Sequence, residues 1–149
     1  MSKKRKIYIG VLAFLIIIQF FKIDKTVPES PPNSDFLELE KPPQQVADLI
    51  KNACYDCHSH QTEYPSYSNF QPLGFFIKGH IKGGRQKLNF SLWGTYDSKK
   101  KAHKMEEIAE EVLAKNMPMK SYTWLHPEAK ITETDRKLIA DWARKSAPQ

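Results

Sequence analysis

Both cysteines of the chain and two of its five histidines lie in one nine-residue stretch, NACYDCHSH, at positions 52–60. Two thiols and an imidazole at this spacing could hold a zinc ion, form a redox-active disulfide or attach a haem. A structural zinc site normally takes four protein ligands, and no second ligand pair follows at a matching spacing. A redox-active Cys-x-x-Cys normally opens a helix, where the helix dipole lowers the thiol pKa. Here the motif follows a helical pattern, so both of these interpretations are disfavoured.

Cys-x-x-Cys-His is the attachment signature of c-type haem. Cys54 and Cys57 lie one helical turn apart and can form thioethers with the two vinyl groups of the macrocycle. His58 is then carried onto the iron as the proximal axial ligand. The sequence therefore predicts one covalently bound haem c per chain.

A sixth iron ligand could come from a methionine or a further histidine. Met117 precedes Pro118 in a predicted loop well downstream of the motif, and a thioether ligand there would raise the reduction potential. Met119 is a close rival by spacing. His80 lies on the apolar side of a predicted helix, where a lone histidine is more often a hydrogen-bonded core residue than a ligand.

The N-terminus carries four adjacent basic residues, at positions 3–6, followed by the apolar run IYIGVLAFLIIIQFF. The run ends in Phe20, Phe21 and Lys22 without the small-x-small pattern of a signal-peptide cleavage site. We expect residues 1–25 to form an uncleaved signal anchor, with a cleaved signal peptide as the alternative. The positive-inside rule places the N-terminus in the cytoplasm. The C-terminal domain would then lie in the periplasm, tethered to a bacterial inner membrane.

The charge distribution argues against a nucleic-acid partner. The formal net charge is +6, but from Asp35 onwards 17 Lys and Arg residues stand against 15 Asp and Glu residues. A nucleic-acid-binding face needs a clustered basic patch, and the folded part lacks the charge excess for one.

Apolar periodicity predicts an all-α domain over residues 43–149, preceded by an extended, proline-rich linker over residues 26–42. One helix is expected from Pro43 into the cysteine motif, and a second over 72–82, ended by Gly83 and Gly84. A third is expected to be capped by Ser98 and to run to about residue 115. Thr132 with Asp135 forms a capping pattern for the last helix, and NMPMKSY before it is predicted to be a loop.

The segments CYDCHSHQTEYPSYSN, LNFSLWGTY, NMPMKSYTWLHPEAKIT and DWA resemble the bacterial haem-binding domain family of small, membrane-anchored mono-haem proteins. The resemblance covers roughly residues 43–145. It implies a cytochrome-c-like helical fold, covalent haem and Met117 at the family's Met-Pro position, which favours Met117 over Met119. Ser66 and Lys120 depart from the family pattern, where tryptophan and proline are expected.

These features predict a membrane-tethered, exported c-type cytochrome that carries single electrons between redox partner proteins that the sequence does not identify. No nucleophile, general base or oxyanion arrangement indicates an enzyme. The alternative is a haem-based sensor or small-ligand binder. A weak peroxidase, which would use His80 with Arg85, is less favoured.

Overall fold

The structure is a computed structural model that describes residues 2–148, and within that range it contains helices and no strand. The all-α prediction is therefore confirmed. The seven α-helices are α1 (Lys3–Ile18), α2 (Phe36–Glu40), α3 (Gln44–His58), α4 (Leu73–Lys87), α5 (Ser98–Leu113), α6 (Lys120–Leu125) and α7 (Glu133–Ser146). Short 3₁₀ helices cover Ser66–Asn69, Phe90–Thr95 and Pro127–Ala129.

The core lies where α3, α5 and α7 meet. Each helix contributes one apolar stripe at helical spacing, and a helix buries such a stripe against its neighbours. An aromatic group closes one end of this core, because the Phe36 ring lies 4.6 Å from Phe90 and 4.8 Å from Trp93 between centroids. The larger buried aliphatic and thioether side chains of the three helices are Val46, Ile50, Met105, Ile108, Val112 and Ile139.

The N-terminal segments differ in how far protein covers them. No residue of α1 is buried, and within residues 2–148 no helix combines the length and the apolar character that crossing a membrane requires. Residues 26–42 were predicted to form an extended linker. In the structure their last part includes α2, and Phe36 is fully buried in the core. Asp35 caps α2 by accepting from Leu37 N, and it accepts a second bond from the Tyr55 hydroxyl.

Three helix boundaries depart from the sequence prediction. Helix α4 continues through Gly83 and Gly84 to Lys87, so the two glycines do not terminate it. Helix α5 is capped by Asp97, one residue earlier than expected, through a 2.7 Å bond from Lys100 N. Part of the segment predicted to be a loop forms α6. The capping box of Thr132 and Asp135 at the start of α7 is confirmed.

Candidate haem-binding site

The Cys-x-x-Cys-His motif forms the last turn of α3, which ends at His58. The buried stripe of Val46, Ile50 and Ala53 fixes the orientation of this helix against the core. Residues three apart lie on the same side of a helix, so the two cysteines project from adjacent positions. Cys54 packs against the core cluster and Cys57 lines a cleft beside it.

His58 is held in a defined tautomer. Its Nδ1–H donates to the carbonyl oxygen of Leu88 at 3.1 Å, which leaves Nε2 as the nitrogen with a free lone pair. Burial lowers the pKa of His58, although backbone hydrogen bonds to Leu88 and Gly84 oppose that shift. A neutral imidazole whose other ring nitrogen is bonded to a carbonyl is the usual state of a metal-ligating histidine.

The two thiols are electrostatically unlike those of a redox-active pair. Burial raises the pKa of Cys54 to about 12, and the neighbouring Cys57 adds to that shift. Burial and the Asp56 carboxylate raise the pKa of Cys57 to about 11. Reactive Cys-x-x-Cys motifs instead have lowered pKa values, so the structure disfavours thioredoxin-like chemistry here.

Helix α4 approaches the motif closely at Gly84. A side-chain carbon at this position would lie 2.6 Å from the carbonyl oxygen of Cys57, which is shorter than any tolerable contact. Arg85 then holds the chain just after the motif, because its Nε donates to Ser59 O at 2.8 Å and its Nη2 donates to Thr62 Oγ1 at 2.9 Å. Glycine at position 84 is therefore a packing requirement of the site.

The cleft beside Cys57 has one wall from α4 and one from the α6 region. It encloses about 210 Å³, less than the roughly 300–1,000 Å³ of typical small-ligand pockets, and its rim is exposed to solvent. The apolar lining residues are Pro65, Leu73, Phe76, Ile77, Ile81, Met119 and Leu125.

A hydrogen-bonded polar network forms the remaining wall of the cleft. The Tyr122 hydroxyl donates to Asp56 Oδ2 at 2.7 Å, and the ring of Tyr122 stacks on His126 with centroids 4.3 Å apart. His126 Nε2 lies 2.7 Å from the Tyr67 hydroxyl, and its Nδ1 lies 3.0 Å from Glu128. Burial and the bond to Asp56 raise the pKa of Tyr122. Sequence reasoning missed this network, since Asp56 and the two tyrosines stand within the family-like segments but share no spacing pattern.

The structure places the predicted sixth-ligand candidates differently. Met119 and His80 line the cleft, and His80 Nδ1 bonds to Phe76 O at 2.9 Å, which leaves Nε2 without that constraint. Met117 is half-buried, and its carbonyl oxygen accepts from Arg136 Nη1 at 2.7 Å. Met119 is the only methionine among the described residues that line the cleft. The assignment of Met117 as distal ligand stays a prediction.

The chemistry of the cleft suits a haem in part: apolar side chains, the Cys57 thiol and the Met119 sulfur line it, whereas Cys54 packs against the core cluster and the His58 ring is bonded to the Leu88 carbonyl oxygen, so neither of these two lines the cleft. A helical domain with a Cys-x-x-Cys-His turn beside an apolar cleft has the features of a haem-binding protein. The family model described as a haem-binding domain matches residues 13–145. The chain therefore belongs to the haem-binding domain family, as the sequence resemblance predicted. No curated protein and no solved structure matches the chain.

Proposed function

We propose that the protein is a membrane-tethered, exported mono-haem c-type cytochrome that holds its haem covalently and carries single electrons. The observation that carries this proposal is the Cys54–His58 turn, which lies beside an apolar cleft with His58 Nδ1 committed to the Leu88 carbonyl. Membership of the haem-binding domain family supports it, as does the Cys-x-x-Cys-His attachment signature.

Each residue of the turn has a distinct role in this proposal. The Cys54 and Cys57 thiols each add S–H across one vinyl group, so that a carbon–sulfur bond forms, the proton goes to the other vinyl carbon and no oxidant is needed. His58 presents Nε2 as the proximal ligand. Bound haem supplies one-electron chemistry at its iron. The protein sets how easily that occurs through ligand identity, burial and hydrogen bonds.

The distal ligand is the part of the proposal with two competing residues. The family resemblance favours Met117, whereas the position in the cleft favours Met119. Comparing the spectra of Met117→Ala and Met119→Ala separates them, because only loss of the ligating sulfur removes the weak long-wavelength methionine–iron band. If both variants keep the band, His80→Ala is the next variant to compare.

Membrane attachment is proposed from α1 and its flanks. Nine large apolar side chains between positions 7 and 17 are 42–72% exposed, and four basic residues lie at the N-terminal end of the helix. A positively charged flank before an apolar helix favours retention of that end in the cytoplasm. The folded domain would then lie on the periplasmic side of a bacterial inner membrane.

Covalent attachment is tested by extraction with acidified acetone, followed by reduced-minus-oxidised spectra of the protein fraction. We expect the wild-type chain to retain its haem and the double variant Cys54→Ala/Cys57→Ala to lose it. Asp56→Asn is a matched control within the same turn, and it should retain the haem. A wild-type chain that releases its haem into the solvent would contradict covalent attachment.

A haem-based sensor is the second candidate, because Tyr67, Tyr122 and His126 place hydroxyl and imidazole groups at the cleft wall. Such groups can donate hydrogen bonds to a small ligand on iron. Addition of carbon monoxide to the ferrous protein separates the candidates: rapid, tight binding favours the sensor, and inertness favours the carrier.

We propose no enzymatic activity. For a peroxidase the cleft offers His80, whereas Arg85 lines a neighbouring pocket with His60 and Asn89.

A further inference from the structure

Large apolar side chains surround the opening of the cleft and are exposed. Leu73 and Phe76 on α4 are 48% and 54% exposed, and Leu125 on α6 is 58% exposed. All three also line the cleft, from opposite walls. Phe70, Phe75 and Trp124, which are near them in sequence, are also exposed. We call these six residues together the cleft mouth: Phe70, Leu73, Phe75, Phe76, Trp124 and Leu125.

The cleft mouth contains six of the eight exposed large apolar side chains between positions 35 and 148. Within residues 35–148, the only other large apolar side chains in the exposed class are Leu39, at 42%, and Leu113, at 38%. Trp124 is 85% exposed, the highest value for any large apolar residue in that range. Contiguous apolar patches of this kind mark contact surfaces, whereas single exposed residues need no explanation.

Hydrogen bonds tie the end of α1 to the loop that leads into the mouth. Gln19 Nε2 donates to Gln71 O at 2.9 Å, and Gln71 N donates to Gln19 Oε1 at 2.9 Å. Lys25 Nζ donates to Asn69 Oδ1 at 2.7 Å. These bonds hold the segment just after α1, which carries the exposed Phe20 and Phe21, against residues 69–71, next to Phe70 of the cleft mouth.

Cationic side chains flank the same region. Lys22 and Lys25 both contact Asn69, immediately before Phe70. Lys120 opens α6, four residues before Trp124. Aromatic side chains prefer the membrane–water interface, and lysines beside them are attracted to anionic headgroups. The chemistry of the patch therefore complements a lipid surface.

We infer that the cleft mouth docks on the anionic bilayer surface, with its aromatic and leucine side chains in the headgroup region and the cleft opening toward the membrane. The inference rests on the proposed role of α1 as a membrane anchor. It adds an orientation that anchoring alone does not require, since a tether permits any face to meet the bilayer. In this orientation, electrons leave or enter through the mouth to partners within the membrane plane.

Photolabelling from the lipid phase tests the orientation. The full chain with its haem is placed in vesicles of phosphatidylcholine and phosphatidylglycerol that contain a lipid with a diazirine in its acyl chain, and labelled peptides are mapped by mass spectrometry. We expect labels on α1 and on residues 70–76 and 124–125, several-fold above the peptides that carry Leu39 and Leu113. The double variant Phe70→Gln/Trp124→Gln should lower labelling of the mouth and leave that of α1 unchanged. Leu39→Gln is the matched control and should change neither.

The possible failures are distinguishable. Labels on α1, with the mouth at the level of the Leu39 peptide, would overturn the orientation and keep the anchor. Absence of labels on α1 would overturn the anchor proposal as well. Protection of the mouth from lipid labels that appears only at protein concentrations where two copies associate would identify a second copy as the occupant and overturn the inference. The haem spectrum, recorded on the same sample, reports on the cofactor independently.

Discussion

Trp93 and Trp124 occupy opposite extremes of one domain, at 0% and 85% exposure. Trp93 belongs to the core side, which we define as α2, α3, α5, α7 and the 3₁₀ helix that carries it. Trp124 belongs to the mouth side, defined as α4 and α6. On the mouth side the buried residues are limited to Gly74 and Ile81 of α4, and α6 has none. The exposed large apolar residues of the core side are limited to Leu39 and Leu113, whereas the mouth side exposes Leu73, Phe75, Phe76, Trp124 and Leu125.

Side-chain capping of helix N-termini also differs between the core side and the mouth side. On the core side, Asp35, Asp97 and Thr132 cap α2, α5 and α7 with side-chain oxygens, although α3 has no such cap. Neither α4 nor α6 has a side-chain cap. Helices in proteins gain most of their stability from tertiary packing of an apolar face. If the haem binds as proposed, the mouth side should therefore depend on it for stability more than the core side does.

The largest expected difference is between the two tryptophans themselves. Trp93→Ala removes a buried ring that contacts Phe36 and donates to Glu40 at 2.6 Å, so it should lower the free energy of unfolding by about 3–5 kcal/mol. Trp124→Ala removes an exposed side chain and should change that free energy by less than about 0.5 kcal/mol. Urea unfolding of the full chain in detergent, followed by circular dichroism, measures both. Equal losses for the two variants would remove the distinction between the sides.

The next prediction concerns Gly84, where α4 of the mouth side contacts α3 of the core side. Gly84→Ala forces a side-chain carbon against the Cys57 carbonyl, which is backbone and cannot rotate away, so we expect a loss of about 1–3 kcal/mol in unfolding free energy. Gly83→Ala is the matched control in the same helix, because nothing lies within 4 Å of its added carbon. Gly83→Ala should stabilise the protein by about 0.5–1 kcal/mol.

Absorption spectra of the same two variants show whether the contact between Gly84 and Cys57 affects the haem environment. Displacement of α4 at Gly84 should shift the haem absorption of Gly84→Ala, since Cys57 is an attachment residue in the proposal. Gly83→Ala should keep the wild-type spectrum. Stability and spectrum unchanged in both variants would show that the close approach at Gly84 is not required.

The glycine pair also shows how far sequence reasoning reached. Periodicity predicted the helical class and the helix that carries Cys54 and Cys57, because those signals are local. Gly83 and Gly84 resemble a helix end in sequence, but the need for glycine at position 84 arises from a neighbour 27 positions away along the chain. No local pattern contains that contact.

The same limit applies to the cleft. Met119 and Tyr122 line the cleft because the chain forms α6 there, and Tyr122 bonds to Asp56 in the last turn of α3. A six-residue helix gives little periodic signal in the sequence. Phe36 was assigned to the linker because prolines surround it, yet its ring enters the aromatic end of the core. In each case a contact distant in sequence outweighs local composition.

A smaller effect is expected from the cap of α7 on the core side. The Thr132 hydroxyl accepts from Asp135 N at 3.2 Å, and the Asp135 carboxylate accepts from Thr132 N at 2.8 Å. Thr132→Ala should lower the unfolding free energy by about 1 kcal/mol. Thr123→Ala, within the uncapped α6, is the control and should cost less. If the control costs more, side-chain caps do not distinguish the two sides.

The smallest effect is the pH dependence of this cap. Backbone and side-chain hydrogen bonds from Thr132 hold the pKa of Asp135 below its ordinary value of 3.8. A carboxylate with a lowered pKa in the folded state stabilises the protein above the unfolded-state pKa, and this contribution is lost as the pH falls through the folded-state value. Asp135→Asn should therefore be less stable than wild type near about pH 7, and the difference should shrink below about pH 4 as the wild-type carboxyl gains its proton. Asp141→Asn, an exposed carboxylate of the same helix, controls for the loss of one charge. A deficit in Asp135→Asn that stays constant down to about pH 2 would mean that the shape of the side chain, and not its charge, stabilises the start of α7.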